Sequence, residues 1–189
     1  MKNLFRILII INLFSCEVDD RPSIVKFKSG EYDSREGKFI AKFPGEPSVL
    51  RQHFDMGMLG EFDQYSFQYN IANEHIYSVS YIDFSPEFLK SWDNEQLFDQ
   101  TIKSLSDQLG NFRIVSKGVD SSKIYQKNIT YTLSSSVLGE FMKSKFVRYS
   151  DRIYQILFVC RRRQPGNQKI DEFINSFKIY NANTTSATI

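Results

Sequence analysis

The stretch Arg152-Ile153-Tyr154-Gln155-Ile156-Leu157-Phe158-Val159-Cys160 decides the fold. Between Ile153 and Cys160 only Gln155 breaks the apolar run, so both faces of a strand formed here are apolar. Such a strand normally lies in the centre of a sheet that is covered on two sides. The preceding pair Ser150-Asp151 is short enough for a two-residue turn, which favours an antiparallel pairing with the strand before it.

Alternating side chains predict further strands on either side of this one. Phe39, Ala41 and Phe43 share one face of a strand that Pro44-Gly45 ends. Two aromatic rows follow, Tyr65/Phe67/Tyr69 and Tyr77/Val79/Tyr81, with a link between them short enough for a hairpin. Residues 112–119, 124–133 and 140–149 are also predicted as strands. The aromatic rows fit a ligand platform, but under covering helices they are better explained as core.

Helical spacing appears in two places. Phe98, Ile102, Leu105 and Leu109 recur at intervals of four, three and four, with Asp93 or Asn94 as a cap. Ser85-Pro86 is predicted to begin a short turn that buries Phe88, Leu89 and Trp92. After Pro165-Gly166, a second stripe comprises Ile170, Phe173, Ile174 and Phe177.

This order of elements predicts an α+β fold with a mostly antiparallel central sheet and helices packed on its faces. We expect residues 1–15 to be a signal peptide, 16–35 a flexible tether, 36–180 a single domain and 181–189 a disordered tail. The length of the middle part suits one domain with one core.

The first residues of the chain predict that the protein is localised to the cell envelope. Lys2 and Arg6 precede an apolar run, and Leu13-Phe14-Ser15-Cys16 is followed at once by acidic residues. This resembles a bacterial lipoprotein signal, in which cleavage leaves Cys16 as the acylated first residue of a lipoprotein. The apolar run is too short for a membrane-spanning helix, which needs ~20 residues. A buried first strand or helix is the alternative interpretation.

Charge and cysteine content fit an exported protein. The whole chain has 24 basic and 22 acidic residues, and removal of Lys2 and Arg6 leaves the remainder neutral. A neutral chain has no overall field to attract nucleic acid. There are two cysteines, so acylation of Cys16 leaves Cys160 without a disulfide partner, and we expect Cys160 to be a buried small hydrophobe.

The segment Phe39-Ile40-Ala41-Lys42-Phe43-Pro44-Gly45-Glu46-Pro47 resembles the opening strand and turn of PsbP-like/Mog-type proteins. Three later segments, 77–83, 152–156 and 173–178, resemble their subsequent elements. The resemblance implies an α/β/α sandwich and a role as an assembly factor or protein-binding module, without a catalytic set. Many relatives carry a Gly-rich turn in mid-chain that is absent here. The polar segment 121–138 stands in its place and is a candidate binding loop.

The chain offers little sign of catalytic chemistry. His53 and His75 lie far apart and match no metal-ligand spacing, so we expect no metal and no cofactor. There is no G-x-S-x-G elbow, and Cys160 ends an apolar run, so no catalytic residue is assigned. One charged run, Arg161-Arg162-Arg163, is either a contact for phosphate, lipid A or an acidic partner or a solvated strand end that limits aggregation.

These features predict a membrane-anchored envelope lipoprotein that acts as a non-enzymatic protein-binding or assembly module. The alternative is a carrier of a small molecule or lipid in a cleft between sheet and helix. A cleft of ~300 Å³ or more lined by aromatic side chains would favour the carrier. A hydrolase with an unrecognised site is the third hypothesis.

Overall fold

The computed structural model describes residues 22–55, 60–72, 74–109, 112–123, 126–135, 140–160 and 167–179. The predicted α+β class is wrong, and so is the α/β/α sandwich that the resemblance implies, because 55% of the structure is strand and 22% is helix. The strands form two antiparallel sheets, of four and seven strands. The smaller sheet lies where the prediction placed only a helical layer. All four of its strands have only two or three residues. Three of the four lie outside any long periodic pattern, which is why periodicity did not reveal this sheet.

In chain order, the described residues form the strands β1 Val25–Lys26, β2 Tyr32–Ser34, β3 Phe39–Ala41, β4 Ser48–Asp55, β5 Glu61–Ile71, β6 His75–Asp83, β7 Phe112–Lys123, β8 Gln126–Ser135, β9 Phe141–Tyr149, β10 Arg152–Cys160 and β11 Lys178–Ile179. The helices are α1 Pro86–Lys90, α2 Asn94–Leu109 and α3 Asn167–Ser176. The polar segment 121–138 is thus partly strand, in β7 and β8.

The large sheet has the order β4-β5-β6-β10-β9-β8-β7. Strand β10 is the fourth of the seven and pairs antiparallel with β6 and β9. All residues from Ile153 to Cys160 are buried. The prediction of a central strand covered on both faces is therefore confirmed.

Helices α1 and α2 cover one face of the large sheet, here called the helix-covered face. Asp93 caps α2, since its carboxylate accepts hydrogen bonds from the backbone N–H of Glu95 and Gln96 at 2.8 and 3.3 Å. Phe98 of α2 stacks on Phe146 of β9 with ring centroids 5.0 Å apart. The predicted short turn is α1, and it buries Phe88 and Leu89 while Trp92 packs at the margin of the same core.

The small sheet and α3 cover the opposite face of the large sheet. The small sheet has the order β1-β2-β3-β11. Its strands and α3 bury the aromatic rows of β5 and β6, together with the side chains of β10 that project to the same face. The members of this core include Tyr32, Phe39, Phe43, Phe67, Tyr77, Val79, Tyr81, Tyr154, Phe158, Ile170, Phe173, Ile174 and Phe177. The interpretation of the aromatic rows as core is confirmed for these residues.

Residues assigned to the tether contribute to this small sheet. Strand β2 pairs with β3, and Tyr32 is only 2% exposed. The folded body therefore begins before residue 36. Strand β4 was not predicted, because its side chains are only partly buried and do not alternate cleanly.

Arg152 joins the two sheets. Its guanidinium donates two hydrogen bonds to the Asp83 carboxylate, at 2.5 and 2.6 Å, and one to the Glu36 carbonyl at 2.7 Å. It also lies 4.1 Å from the ring centroid of Tyr81. The Tyr154 hydroxyl donates to the Gly37 carbonyl at 2.8 Å. Together these contacts fix the turn between β2 and β3 against the large sheet.

Candidate functional site: an aromatic cleft beside helix α3

An open cleft of about 280 Å³ lies where three parts of the fold meet. These are the connection between β3 and β4, the ends of β5 and β6 near their hairpin, and the outer face of α3. Its lining consists of Lys42, Phe43, Pro44, Ile71, Tyr77, Lys169, Glu172 and Phe173. We call it the α3 cleft.

Aromatic rings form the floor of the α3 cleft. The ring centroid of Phe173 lies 5.4 Å from that of Phe43 and 5.2 Å from that of Tyr77. The rings of Phe173 and Tyr77 meet edge to face. All three side chains are buried. Burial, with smaller effects from Cys160 and Tyr69, raises the pKa of Tyr77. Its hydroxyl, like that of an ordinary tyrosine, is protonated at neutral pH and is able to donate a hydrogen bond.

Charged side chains form the rim of the cleft. Lys42 and Lys169 supply two positive charges and Glu172 one negative charge, so the rim is positive by one charge. Lys169, Glu172 and Phe173 are three and four residues apart, which places them on one side of α3. The rim is therefore positive although residues 16–189 together have no net charge.

Two hydrogen bonds hold the walls of the cleft together. The backbone N–H of Lys42 donates to the Ser176 hydroxyl at 2.9 Å. That hydroxyl in turn donates to the Phe173 carbonyl at 2.7 Å. The last turn of α3 is thereby tied to the end of β3, which fixes Phe43 and Phe173 relative to one another.

Four of the cleft residues were identified separately from the sequence, which did not bring them together. Phe43 and Pro44 belong to the motif 39–47, Tyr77 to an aromatic row, and Phe173 to the helical stripe. Their convergence depends on the pairing of β11 with β3, which sets α3 beside the β3–β4 connection. A two-residue strand gives no pattern from which that pairing can be predicted.

The residues predicted for lipidation and partner contact lie outside the described ranges. These are Cys16 and the run Arg161, Arg162 and Arg163. Cys160 is described: it is 0% exposed at the end of β10. Its prediction as a buried small hydrophobe is confirmed.

The two histidines occupy separate places on the large sheet. His53 is exposed on β4, with its Nδ1 3.0 Å from the Asp63 carboxylate. Arg51 also binds that carboxylate, at 2.8 Å; its hydrogen bond, helped by His53 and opposed by burial, lowers the pKa of Asp63. His75 begins β6 and packs near Phe158. In the described ranges, no three His, Cys, Asp or Glu residues are grouped so that they could hold a metal ion.

A block of neutral polar side chains is buried on the helix-covered face. It comprises Gln64, Ser66, Gln68, Ser78, Ser80, Ser144 and Gln155. The Nε2 of Gln64 donates to Ser66, and that of Gln155 to Ser144, both at 3.2 Å. The Oε1 of Gln64 has no hydrogen-bond partner in the described structure. Of these residues only Gln155 was identified from the sequence, in the strand predicted to be covered on both faces, and the burial of the other six was not predicted.

The chain matches no protein-family model and no curated protein sequence. No helix among the described residues is both long and apolar enough to cross a membrane.

Proposed function

We propose that this chain is a non-enzymatic binding module of the cell envelope, anchored through acylated Cys16, and that the α3 cleft is its recognition site for a protein partner. The observation that carries the proposal is the open cleft itself, with its aromatic floor and positive rim. Apolar pockets with a few polar groups at their margin are typical binding sites.

The size of the cleft favours a side chain over a whole lipid. Sites for drug-sized molecules have volumes of roughly 300–1,000 Å³, and the α3 cleft has about 280 Å³. One aromatic or branched aliphatic side chain fits such a volume. Buried anchor side chains of this kind supply much of the energy of protein interfaces.

The rim indicates the charge of the partner. Lys42 and Lys169 flank the opening, whereas Glu172 is the single acidic residue among the lining side chains. A partner segment that carries an acidic residue next to its apolar anchor therefore complements the cleft. Such rim charges act mainly on the association rate and on the choice of partner.

The lipid anchor would determine where in the cell the α3 cleft meets its partner. Acylation at Cys16 would hold the domain at a membrane surface of the envelope, and the residues between Cys16 and the small sheet would act as a short tether. Partners in the same envelope compartment would then meet the domain at high local concentration. The resemblance to PsbP-like/Mog-type proteins also implies a binding role, although the α/β/α sandwich that it implies is not the fold of this chain.

The second candidate function is a carrier of a small molecule or lipid. The aromatic floor of Phe43, Tyr77 and Phe173 favours it. A carrier would place a small apolar ligand in the same cleft, with an anionic group beside the lysines.

Site-specific photo-cross-linking distinguishes the two candidates. A benzophenone amino acid replaces Ile71, a cleft residue that is 37% exposed, in the full chain expressed in its envelope. Val25 on β1, 49% exposed, is the matched control position. We expect a discrete protein adduct from position 71 and none from position 25.

Mass spectrometry of the adduct decides between the candidates. A small mass or a lipid attached at position 71 would favour the carrier. Equal products from positions 71 and 25, or no product from position 71, would contradict binding at the cleft.

A further inference from the structure

Strand β7 is an exposed edge of the large sheet. It pairs with β8 on one side, and no described strand pairs with its other side. Every residue from Arg113 to Asp120 is exposed. A long edge strand presents a row of unpaired backbone N–H and C=O groups, which makes it a template for another strand.

The edge is unusually apolar for its position. Ile114, Val115 and Val119 are 50%, 64% and 50% exposed. They are half of the six large hydrophobic residues exposed in the described structure; the other three are Val25, Phe27 and Ile71. The opposite edge, β4, instead carries the polar pairs of Arg51 and His53 with Asp63. Exposed apolar clusters mark interaction surfaces.

The sequence of β7 is complementary to itself in the antiparallel direction. From these observations we propose that β7 pairs with β7 of a second copy of this chain about a two-fold axis at Lys117. A two-fold interface uses the same surface on both copies, so residue i faces residue j and j faces i.

The pairing of β7 with β8 sets the register of the dimer. Ile114 lies opposite Leu133 and Ser116 opposite Thr132, so Val115 is an additional, bulged residue. With Lys117 on the axis and Val115 bulged in both copies, Ser116 faces Gly118 of the second copy. Ile114 then faces Val119, and Arg113 faces Asp120.

This register keeps matching side chains on matching faces of the sheet. Ile114 and Val119 both project to the helix-covered face, since they lie opposite Leu133 and Ile129. Arg113 and Asp120 both project to the other face, opposite Ser134 and Asn128. Each copy therefore contributes one apolar pair and one pair of opposite charges, and such cross-strand pairs stabilise a sheet.

Lys117 is the residue that would oppose its own copy at the axis. Its amino group is bound by the carboxylates of Glu95 and Asp99 of α2, at 2.6 and 2.8 Å. Its positive charge is therefore compensated within each chain. Bulges and lysines elsewhere protect sheet edges from pairing. Here the bulge occurs in both copies at matching positions and the charge of Lys117 is compensated, so neither prevents β7 from pairing with a second β7.

Disulfide cross-linking tests the register in the full chain. Two tagged copies are expressed together in the same envelope, one with Ser116→Cys and the other with Gly118→Cys. Both substitutions suit the fold, because Ser116 is exposed and a Cβ on Gly118 meets no atom within 4 Å. Facing cysteines on adjacent strands oxidise readily because their Cβ atoms are close.

We expect a product that carries both tags after oxidation. Adding Val119→Asp to both copies should abolish it, since the apolar pairs would be lost. A matched pair of copies with Val25→Cys should give no product. Absence of the double-tagged product, an equal yield from the Val25→Cys pair, or cross-linking of Ser116→Cys to a different protein would overturn the proposal.

Discussion

The ring of Tyr69 occupies the space beside Gly45. A Cβ placed on Gly45 would lie 2.4 Å from the Cε2 atom of Tyr69. Gly45 follows Pro44, which lines the α3 cleft, so this contact sets the position of that wall against β5. The Pro-Gly pair of the motif 39–47 thus has a physical reason: only a residue without a side chain allows the approach.

Gly45→Ala should therefore destabilise the domain. The added methyl group forces Tyr69 or the cleft wall to move, at a cost of about 1–3 kcal/mol in the free energy of unfolding. The measurement is the urea midpoint of unfolding. Gly118→Ala is the matched control, since its Cβ meets no atom within 4 Å. Equal midpoints for the two variants would show that the contact is not rigid.

Arg152→Lys should weaken the contacts between the two sheets and lower the free energy of unfolding. A lysine cannot reproduce the paired hydrogen bonds to Asp83 or the stacking on Tyr81, and we expect a loss of about 1–2 kcal/mol. Arg51→Lys is the control, because Arg51 makes a partly exposed pair with Asp63, worth about 0–1 kcal/mol. Thermal unfolding of both variants provides the comparison. A larger loss for Arg51→Lys would contradict the assigned role.

The domain should lose stability in alkaline solution. Burial raises the pKa of Tyr154 to about 12, although the Arg152 guanidinium opposes the shift. Burial also raises the pKa of Tyr81 and Tyr131. In the unfolded chain, tyrosine has a pKa of about 10. The buried, protonated tyrosines therefore make their full contribution to the free energy of unfolding below about pH 10. That contribution is lost as the pH rises from about 10 towards 12.

Tyrosinate absorbance and urea unfolding, both measured from pH 8 to 12, check this dependence. The buried tyrosines should ionise only as the domain unfolds. Full ionisation of all tyrosines near pH 10 with an intact fold would contradict their burial.

Cys16→Ser should abolish labelling by a fatty acid and leave precursor that is not processed. The reason is that the thiol would be the acceptor of the lipid. Labelling and membrane fractionation of the full chain are the measurements. Cys160→Ala, which alters the other cysteine, should keep the label. Unchanged processing and membrane retention in Cys16→Ser would refute the anchor.

Most of the long strands and helices could be predicted from the sequence, because their apolar residues repeat at strand or helix spacing over many positions. Strand β10 is central as expected, and the stripe from Phe98 to Leu105 lies in α2. The fold class was wrong because β1, β2 and β11 are too short to show a period. These strands are set by tertiary contacts such as those of Tyr32 and Arg152, which join residues far apart in the chain.

The candidate site was predictable only in parts. Aromatic residues at 43, 77 and 173 were all identified as apolar positions, but a single sequence does not show which of them meet. Lys42 and Lys169 carried no signal, because exposed lysines are common. The rim exists only because α3 folds back beside β3.

Reversal of the rim charge tests the central claim most directly. The full chain with Lys42→Glu and Lys169→Glu is compared with a control carrying Lys90→Glu and Lys103→Glu, exposed lysines of α1 and α2. The yield of the partner adduct cross-linked from position 71 is measured for both. We predict a loss of about tenfold or more for the rim variant, as expected for ~1.4 kcal/mol of binding energy, and no change for the control. An undiminished adduct from the rim variant would contradict recognition at the α3 cleft.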